Sequence, residues 1–455
     1  MKRSIKLTPL VPLLFTALIF AIYVYREKAH NYFRFSEQVY SGPVDFSYQE
    51  QSKKLGINHR TQLFISAAPL ENYYAMAPAV DYVSAGDLDN DGYTDLIYTT
   101  ANPSEPLRIY RSLKGKGFES VEDAWGFAGE KKKGGMVYAT ALFDFNNDGW
   151  LDVFVARDGC HDLYINEKGQ NFRSAGEETG ISKICNKRVT GISILDFNRD
   201  GYLDLYFTRL FGDTSMTGGD DAGVTYFIPR INKEAPGAGK NYLVENVGGK
   251  SMKVVENSGL DNGWLAWAAG ITDVNDDSYP DIIVANDFSI SRVYINNKDG
   301  TFTNRTKAAL GLQYNSANMS LETGDFNNDG KVDFFVSNVS RSTYASNSYN
   351  YLYKKVGPEK YKNASLDVGV DRCGWAWGVK FIDPNLDGKL DLMVVNGFFN
   401  DGNKPYWYKW SIYGSLPQYL VNSPDVMPPT RGHTIEGDQP SCLFMQKNLR
   451  QKMDL

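Results

Sequence analysis

Six nine-residue acidic loops hold the side chains of this chain best suited to binding chemistry. The first places Asp87, Asp89, Asp91 and Asp95 at its positions 1, 3, 5 and 9. The second and third place Asp144, Asn146, Asp148 and Asp152, then Asp196, Asn198, Asp200 and Asp204. The fourth, fifth and sixth place Asp273, Asn275, Asp277 and Asp281, then Asp325, Asn327, Asp329 and Asp333, then Asp383, Asn385, Asp387 and Asp391. Oxygen donors at this spacing suit a hard cation that takes about six to eight oxygens, and Ca2+ is the expected one. Glycine at position 6 lets the backbone turn sharply inside the coordination shell. The fourth loop departs, with Ser278 at that position and Pro280 at position 8, so its site is expected to be weak or empty. An EF-hand would need a Glu at position 12, where the first two loops carry Tyr98 and Val155.

The elements that must hold these loops are strands. Each loop runs into an apolar, mostly β-forming stretch such as Leu96-Ile97-Tyr98 or Val153-Phe154-Val155, so the loops are expected to close hairpins. A second phrase recurs between them: an L-Y-x-N strand, then G-x-x-F, then a glycine. Copies are Leu163-Tyr164-Ile165-Asn166 with Phe172 and Gly180, and Val293-Tyr294-Ile295-Asn296 with Phe302 and Gly311. Looser copies start at Tyr242 and Tyr351. Each unit then reads as four short antiparallel strands, the content of a propeller blade. Loop-to-loop spacings of 57, 52, 77, 52 and 58 residues place an insertion in the long interval, at about residues 211–240.

Composition narrows the function classes. Only 4 His among 455 residues leave little room for histidine catalysis or a zinc centre. The chain shows no basic stripe for nucleic acid, and Lys131-Lys132-Lys133 is expected to be a solvated turn. The formal charge is −6, which six bound Ca2+ would reverse to about +6; without metal the carboxylates of each loop repel one another. Residues 1–30 are set apart from the fold at 31–455. Lys2, Arg3 and Lys6 precede the uncharged stretch Leu7 to Tyr25, long enough to cross a bilayer, and no A-x-A cleavage signature follows. The charge bias places the N-terminus in the cytoplasm and the body outside, in the periplasm, at the cell surface or in a lumen. A cleaved signal peptide and a secreted body are the alternative.

The loops, in phase with L-Y-x-N and G-x-F, resemble FG-GAP/VCBS repeats such as those of the integrin α-subunit head. The run Gly374-Trp375-Ala376-Trp377-Gly378, the long third unit and Ala285-Asn286-Asp287 are similar to the cartilage acidic protein/ASPIC–UnbV group. The resemblance covers about residues 45–448. It implies an all-β, seven-bladed propeller, secreted or surface-anchored, with Ca2+ at the blade hairpins and no single conserved activity. The chain departs from that pattern after Pro440 to Asn448, where a seventh loop and the C-terminal tail are missing. Either the last blade is incomplete, or a six-bladed ring closes with Phe46-Ser47-Tyr48-Gln49 and Gly56 completing the blade begun at Asp383.

Other residues carry paired expectations. Trp264, Trp267, Trp375 and Trp377 precede metal loops and are expected to line the core or channel, with an aromatic sugar cradle as the alternative. Cys160 and Cys185 form a candidate disulfide, Cys373 and Cys442 a second. His161 is expected to be a loop residue. Asn304, Asn318, Asn338 and Asn363 match the glycosylation acceptor pattern. The leading functional expectation is a non-catalytic platform that binds an extracellular protein or glycan. The alternative is a polymer-acting enzyme with its site in the channel or in the insertions at 211–240 and 399–440, where Asp220, Asp221, Tyr226 and Glu234 are available.

Overall fold

The structure, a computed structural model, describes residues 52–57, 82–100, 107–133, 137–157, 159–185, 189–209, 239–260, 263–287, 289–311, 316–338, 349–374, 376–396 and 441–446. These build six antiparallel blades. Blade 1 holds β1 (Val83–Gly86), β2 (Asp95–Thr99), β3 (Leu107–Ser112) and β4 (Phe118–Ser120). Blade 2 holds β5 (Val137–Phe143), β6 (Asp152–Arg157), β7 (Asp162–Asn166) and β8 (Phe172–Ser174). Blade 3 holds β9 (Gly191–Leu195), β10 (Asp204–Thr208), β11 (Tyr242–Val247) and β12 (Ser251–Val254). Blade 4 holds β13 (Ala266–Thr272), β14 (Asp281–Asn286), β15 (Arg292–Asn296) and β16 (Phe302–Asn304). Blade 5 holds β17 (Asn318–Gly324), β18 (Asp333–Asn338), β19 (Tyr351–Gly357) and β20 (Lys360–Asn363). Blade 6 holds β21 (Ala376–Ile382), β22 (Asp391–Asn396) and β23 (Cys442–Phe444).

Strands run in sequence order across each blade, and the first strands of successive blades lie side by side from β1 through β21. The fold is a β-propeller, and the six-bladed form is the one the structure bears out. No seventh blade occurs among the described residues. The long connection at 210–238 leaves between β10 and β11, where the spacing places it, and the one at 397–440 lies between β22 and β23.

Hydrophobic burial sits between blades. One apolar cluster fills each boundary from blades 1 and 2 through blades 5 and 6. The second strand of a blade therefore has a neighbour on both faces, and β6, β10, β14 and β18 are buried along their whole length. Phe154, Tyr206, Ile283 and Phe335 are each fully buried there. Complete burial of one such side chain is worth about 1.5–3 kcal/mol.

One glycine position shows how the ring is joined. Gly126 and Gly259 end the connections into blades 2 and 4 at φ 89° and 80°. The residue before each accepts a bond from the next blade's outer strand: Phe172 N donates to Trp125 O at 3.0 Å and Phe302 N to Ser258 O at 2.7 Å. A Cβ on Gly259 would meet Phe302 O at 2.5 Å, so only glycine fits. Gly56 repeats the arrangement against β4, with φ 89° and Phe118 N donating to Leu55 O at 2.6 Å. Residues 52–57 thus occupy the place of a connection arriving at blade 1 from an outer strand, as the six-bladed closure expects. The strand expected at Phe46 lies outside the described residues, as do residues 1–30.

Candidate metal loops and the latch that joins them

The residue before position 1 pairs with the position-9 Asp in every blade: Gly86 with Asp95, Phe143 with Asp152, Leu195 with Asp204, Thr272 with Asp281, Gly324 with Asp333 and Ile382 with Asp391. The acidic loops are therefore hairpin connections between the first and second strands, as expected.

Their internal bonding is the same from blade to blade. In the second loop, the Asp144 carboxylate accepts Asp148 N at 3.0 Å and Gly149 N at 2.8 Å, and Asp148 Oδ1 accepts Trp150 N at 3.0 Å. Asn146 Oδ1 also accepts Asp148 N, at 3.1 Å. The fourth loop keeps this scheme, with Ser278 N bonded to Asp273 at 2.6 Å and Ser278 itself at φ 68°. Its departure from glycine thus costs backbone strain and leaves the loop geometry intact.

The position-9 Asp ties the loop to the blade. Asp152 Oδ2 accepts Phe145 N at 2.9 Å and its Oδ1 accepts Asn166 N, on β7, at 2.7 Å. Burial, and then the nearby charges of Asp148 and Asp144, push Asp152 up to about 7. Asp204 is likewise pushed to about 7, and Asp95, Asp281 and Asp333 to about 6, in each case first by burial. Carboxyl oxygens of Asp87, Asp89 and Asp95 lie within 4.8 Å of one another. Asp89 Oδ1, Asp91 Oδ2, Asp333 Oδ2 and Asp391 Oδ2 are buried and accept no hydrogen bond.

The Asn of L-Y-x-N has a role that sequence reasoning missed. It reaches across to the preceding blade's loop. Asn166 Nδ2 donates to Leu88 O at 2.8 Å, Asn246 Nδ2 to Phe145 O at 2.8 Å, and Asn296 Nδ2 to Phe197 O at 2.8 Å. In blade 5 Lys355 Nζ takes the place, donating to Asp273 O at 2.7 Å and pairing with Asp276. In blade 6 Gln446 Nε2 bonds Phe326 O. Position 4 ties the loops in the other direction: Asn90 donates to Gly149 O at 3.1 Å, Asn147 to Gly201 O at 2.9 Å and Asn328 to Gly388 O at 2.9 Å. The recurrence of Asn at this place in the third strands of blades 2, 3 and 4 was the available signal.

The remaining candidates resolve as follows. Both disulfides are formed, Cys160–Cys185 and Cys373–Cys442. His161 lies in the connection between β6 and β7, as expected, but it is buried there, stacked on Phe207 with Nε2 2.9 Å from Tyr242 Oη. Lys133 does not simply face solvent: it pairs with Asp162 and, at 3.2 Å, with Glu130, which also binds Arg157 and Tyr164. That buried network holds the blade 1–2 connection onto β6 and β7. Trp267, Met319 and Trp377 are the extra residues of β-bulges in β13, β17 and β21. The bulges turn these side chains toward one another, and the two indoles meet edge to face at 5.9 Å, as the lining reading expects. Trp264 stacks under the Arg292 guanidinium at 3.9 Å. Asn318 and Asn338 are buried and hydrogen-bonded, Asn318 to Asn286 O of blade 4 and Asn338 to Asn350 of its own blade, whereas Asn304 and Asn363 are exposed. Trp375, Asp220, Asp221, Tyr226 and Glu234 lie outside the described residues. Among the described residues no helix is long and apolar enough to cross a membrane, and Leu7 to Tyr25 lies outside them.

Blades and loops together define a β-propeller of FG-GAP-like repeats. The FG-GAP-like repeat family matches residues 144–207 and 273–336, each match holding two loops. The chain is similar to integrin alpha-V of Gallus gallus, 25% identical over 218 residues, which are 44% of this chain and 19% of that protein. It is also similar to cartilage acidic protein 1 of Xenopus tropicalis, 22% identical over 276 residues, 57% of this chain and 40% of that protein. The chain therefore spans less than half the length of either relative. The crystal structure of the V. cholerae biofilm matrix protein Bap1 aligns at 15% identity and a TM-score of 0.37, over 66% of this chain and 41% of that one. The fold assignment rests on the strands themselves.

Proposed function

We propose that the chain is an exported propeller, stiffened by Ca2+ in its hairpin loops, that acts as a non-catalytic platform for binding an extracellular protein or glycan. The observation that carries the metal reading is the set of buried carboxylate oxygens without a donor at the loop positions, Asp89 Oδ1, Asp91 Oδ2, Asp333 Oδ2 and Asp391 Oδ2. A cation would satisfy them and offset the burial, and then the charge repulsion, that hold the position-9 carboxyls above the usual range. The position-1, -3, -5 and -9 side chains would hold it, and it would supply charge neutralisation and loop rigidity, with no bond made or broken.

The topology supports a division of labour between two sides. All six acidic loops join first to second strands, whereas the connections at 210–238, 339–348 and 397–440 join second to third strands. They therefore leave the blades at the end away from the metal loops, the side proposed to meet the partner. Resemblance to integrin alpha-V and cartilage acidic protein 1 favours adhesion or binding over turnover. Two disulfides and no free cysteine among the described residues favour an oxidising compartment, with Leu7 to Tyr25 as the tether. Calorimetric titration tests the metal reading: four to six Ca2+ per chain support it and at most one defeats it. A protein and glycan array probed with and without EDTA tests the platform. Protease added to intact cells should remove the propeller; a mature chain that starts near residue 30 and floats free would replace the tether by a cleaved signal.

A further inference from the structure

The residue before the latch position on the third strand points to the opposite side of that strand, and in blades 1, 3 and 5 it meets a ligand of its own loop. Its charge differs from blade to blade. In blade 3 it is Glu245, whose Oε1 accepts a bond from Asn198 Nδ2, at loop position 3, at 3.4 Å. In blade 5 it is Lys354, with Nζ 3.1 Å from Asp329 Oδ2, at loop position 5. In blade 1 it is Arg111, with Nε 2.6 Å from Asp89 Oδ2. Blades 2, 4 and 6 carry Ile165, Ile295 and Met445 there.

Blade 1 is also the loop with an extra acid. Position 3 is Asp89, where the other five loops have Asn, and Arg111 pairs with that acid. The added carboxylate and the added guanidinium cancel, returning the first site to the ligand charge of the other five, each with Asp at positions 1, 5 and 9 and Asn at position 3. Blade 3 has an added carboxylate with no such cation on it, and blade 5 an added cation with no added acidic ligand; in blade 4 a cation from the turn after the third strand, Lys298, makes the same contact, 3.1 Å from Asp277 Oδ2.

We propose that this third-strand position sets the order of cation affinity around the ring: Glu245 is a further carboxylate of the third site and makes it the tightest, while Lys354 is a resident cation that makes the fifth weak. The proposal rests on the reading that the loops bind Ca2+. Affinity of oxygen sites follows the number of charged ligands. A unit charge about 6 Å from a divalent ion changes its binding about tenfold even at the dielectric constant of water. Lys354 also holds the Asp329 oxygen that a cation at this site would need, so binding requires its displacement.

The test uses the full chain and Ca2+ alone, with calorimetry for affinity and hydrogen exchange of each hairpin against Ca2+ concentration for site assignment. In the wild type the segment 196–204 should become protected at the lowest Ca2+ and 325–333 at a higher one. Glu245→Gln should move the midpoint of 196–204 up about tenfold and leave 144–152 in place. Lys354→Gln should move 325–333 down about tenfold, and Arg111→Gln should do the same for 87–95. Lys307→Gln, exposed on the short helix Thr306–Leu310 after β16, is the control and should change nothing. Unchanged midpoints in Glu245→Gln and Lys354→Gln, with Ca2+ still bound, overturn the inference and leave the metal reading standing. A wild type that binds no Ca2+ overturns the metal reading itself.

Discussion

Asn296→Ala should destabilise the propeller far more than removal of any neighbouring polar side chain. Asn296 is buried, its Nδ2 donates to Phe197 O in the preceding loop at 2.8 Å and to Pro280 O at 3.2 Å, and its Oδ1 accepts Lys298 N at 2.8 Å. Alanine removes three bonds and strands two carbonyls, one of them fully inside the blade 3–4 boundary. At about 1 kcal/mol per net bond the loss is about 3 kcal/mol, and desolvated carbonyls without donors can only raise it. For a ring of some 370 residues the unfolding entropy is about 0.8 kcal/mol/K, so the melting temperature should fall about 4 °C. Asn297 sits next to it on an exposed turn, bonded to Thr301 Oγ1 at 2.9 Å, and Asn297→Ala should shift melting by less than about 1 °C. Differential scanning calorimetry in saturating Ca2+ makes the comparison. Equal shifts for the two variants would refute the latch, because they would make the inter-blade bond worth no more than a surface one.

Three further outcomes follow from the same geometry. Asp148→Ala should lower stability with Ca2+ present and change it little in EDTA, since its carboxylate faces the proposed cation; calorimetry should also show one Ca2+ fewer per chain, and loss of all sites would contradict the reading. In the metal-free chain, Asp152 and Asp204 titrate at about 7 and Asp95, Asp281 and Asp333 at about 6, above the ordinary 3.8. The folded state therefore binds more protons than the unfolded one, so the stability these groups contribute is complete below about pH 4 and is lost as pH rises to about 7. Metal-free protein should melt higher at pH 5 than at pH 8 and the difference should vanish or invert in Ca2+; melting that climbs with pH in EDTA would count against it. Cys373→Ser should free β23, because Cys442 closes a loop of 69 residues on Cys373, worth about 4 kcal/mol of loop entropy. Protease should then cut 397–440 and release the C-terminal segment, and an unchanged digestion pattern would refute that role.

What the sequence revealed tracks how local each signal is. The Asp loops and their hairpin ends follow from nine-residue spacing and from strands that alternate along the chain, whereas the blade count does not: the family pattern implies seven, and the described residues build six. Ser278 shows the limit of motif reading: the residue breaks the glycine rule, yet Asp273 still bonds its amide, because a serine tolerates φ 68° at modest cost. The latch was invisible for a different reason. Asn246 and Phe145 O are 101 residues apart, and nothing in one blade's sequence says what the previous blade offers. Trp267 and Trp377 read as lining residues from the sequence, whereas Met319 reads as an ordinary strand position until a bulge turns it toward them.

The same contacts identify where the ring must be joined. Latches run from blade 2 to 1, 3 to 2, 4 to 3, 5 to 4 and 6 to 5, but blade 1 ends its third strand in Ser112, too short to reach a neighbouring loop. At the other end, position 4 of the sixth loop is Leu386, 87% exposed, where the first, second and fifth loops use Asn to hold the next blade. Met393 on β22 is 40% exposed, although its counterparts Ile97, Phe154, Tyr206, Ile283 and Phe335 are fully buried. All three changes fall on one boundary, between blades 6 and 1, Ser112 on one side and Leu386 and Met393 on the other. Among the described residues that boundary lacks the polar ties used elsewhere, and the Cys373–Cys442 bond fixes β23, the outer described strand of blade 6, beside it. A ring built this way opens first at its seam, which is why the C-terminal strand and not the metal loops should be the earliest segment to lose protection when the disulfide is reduced.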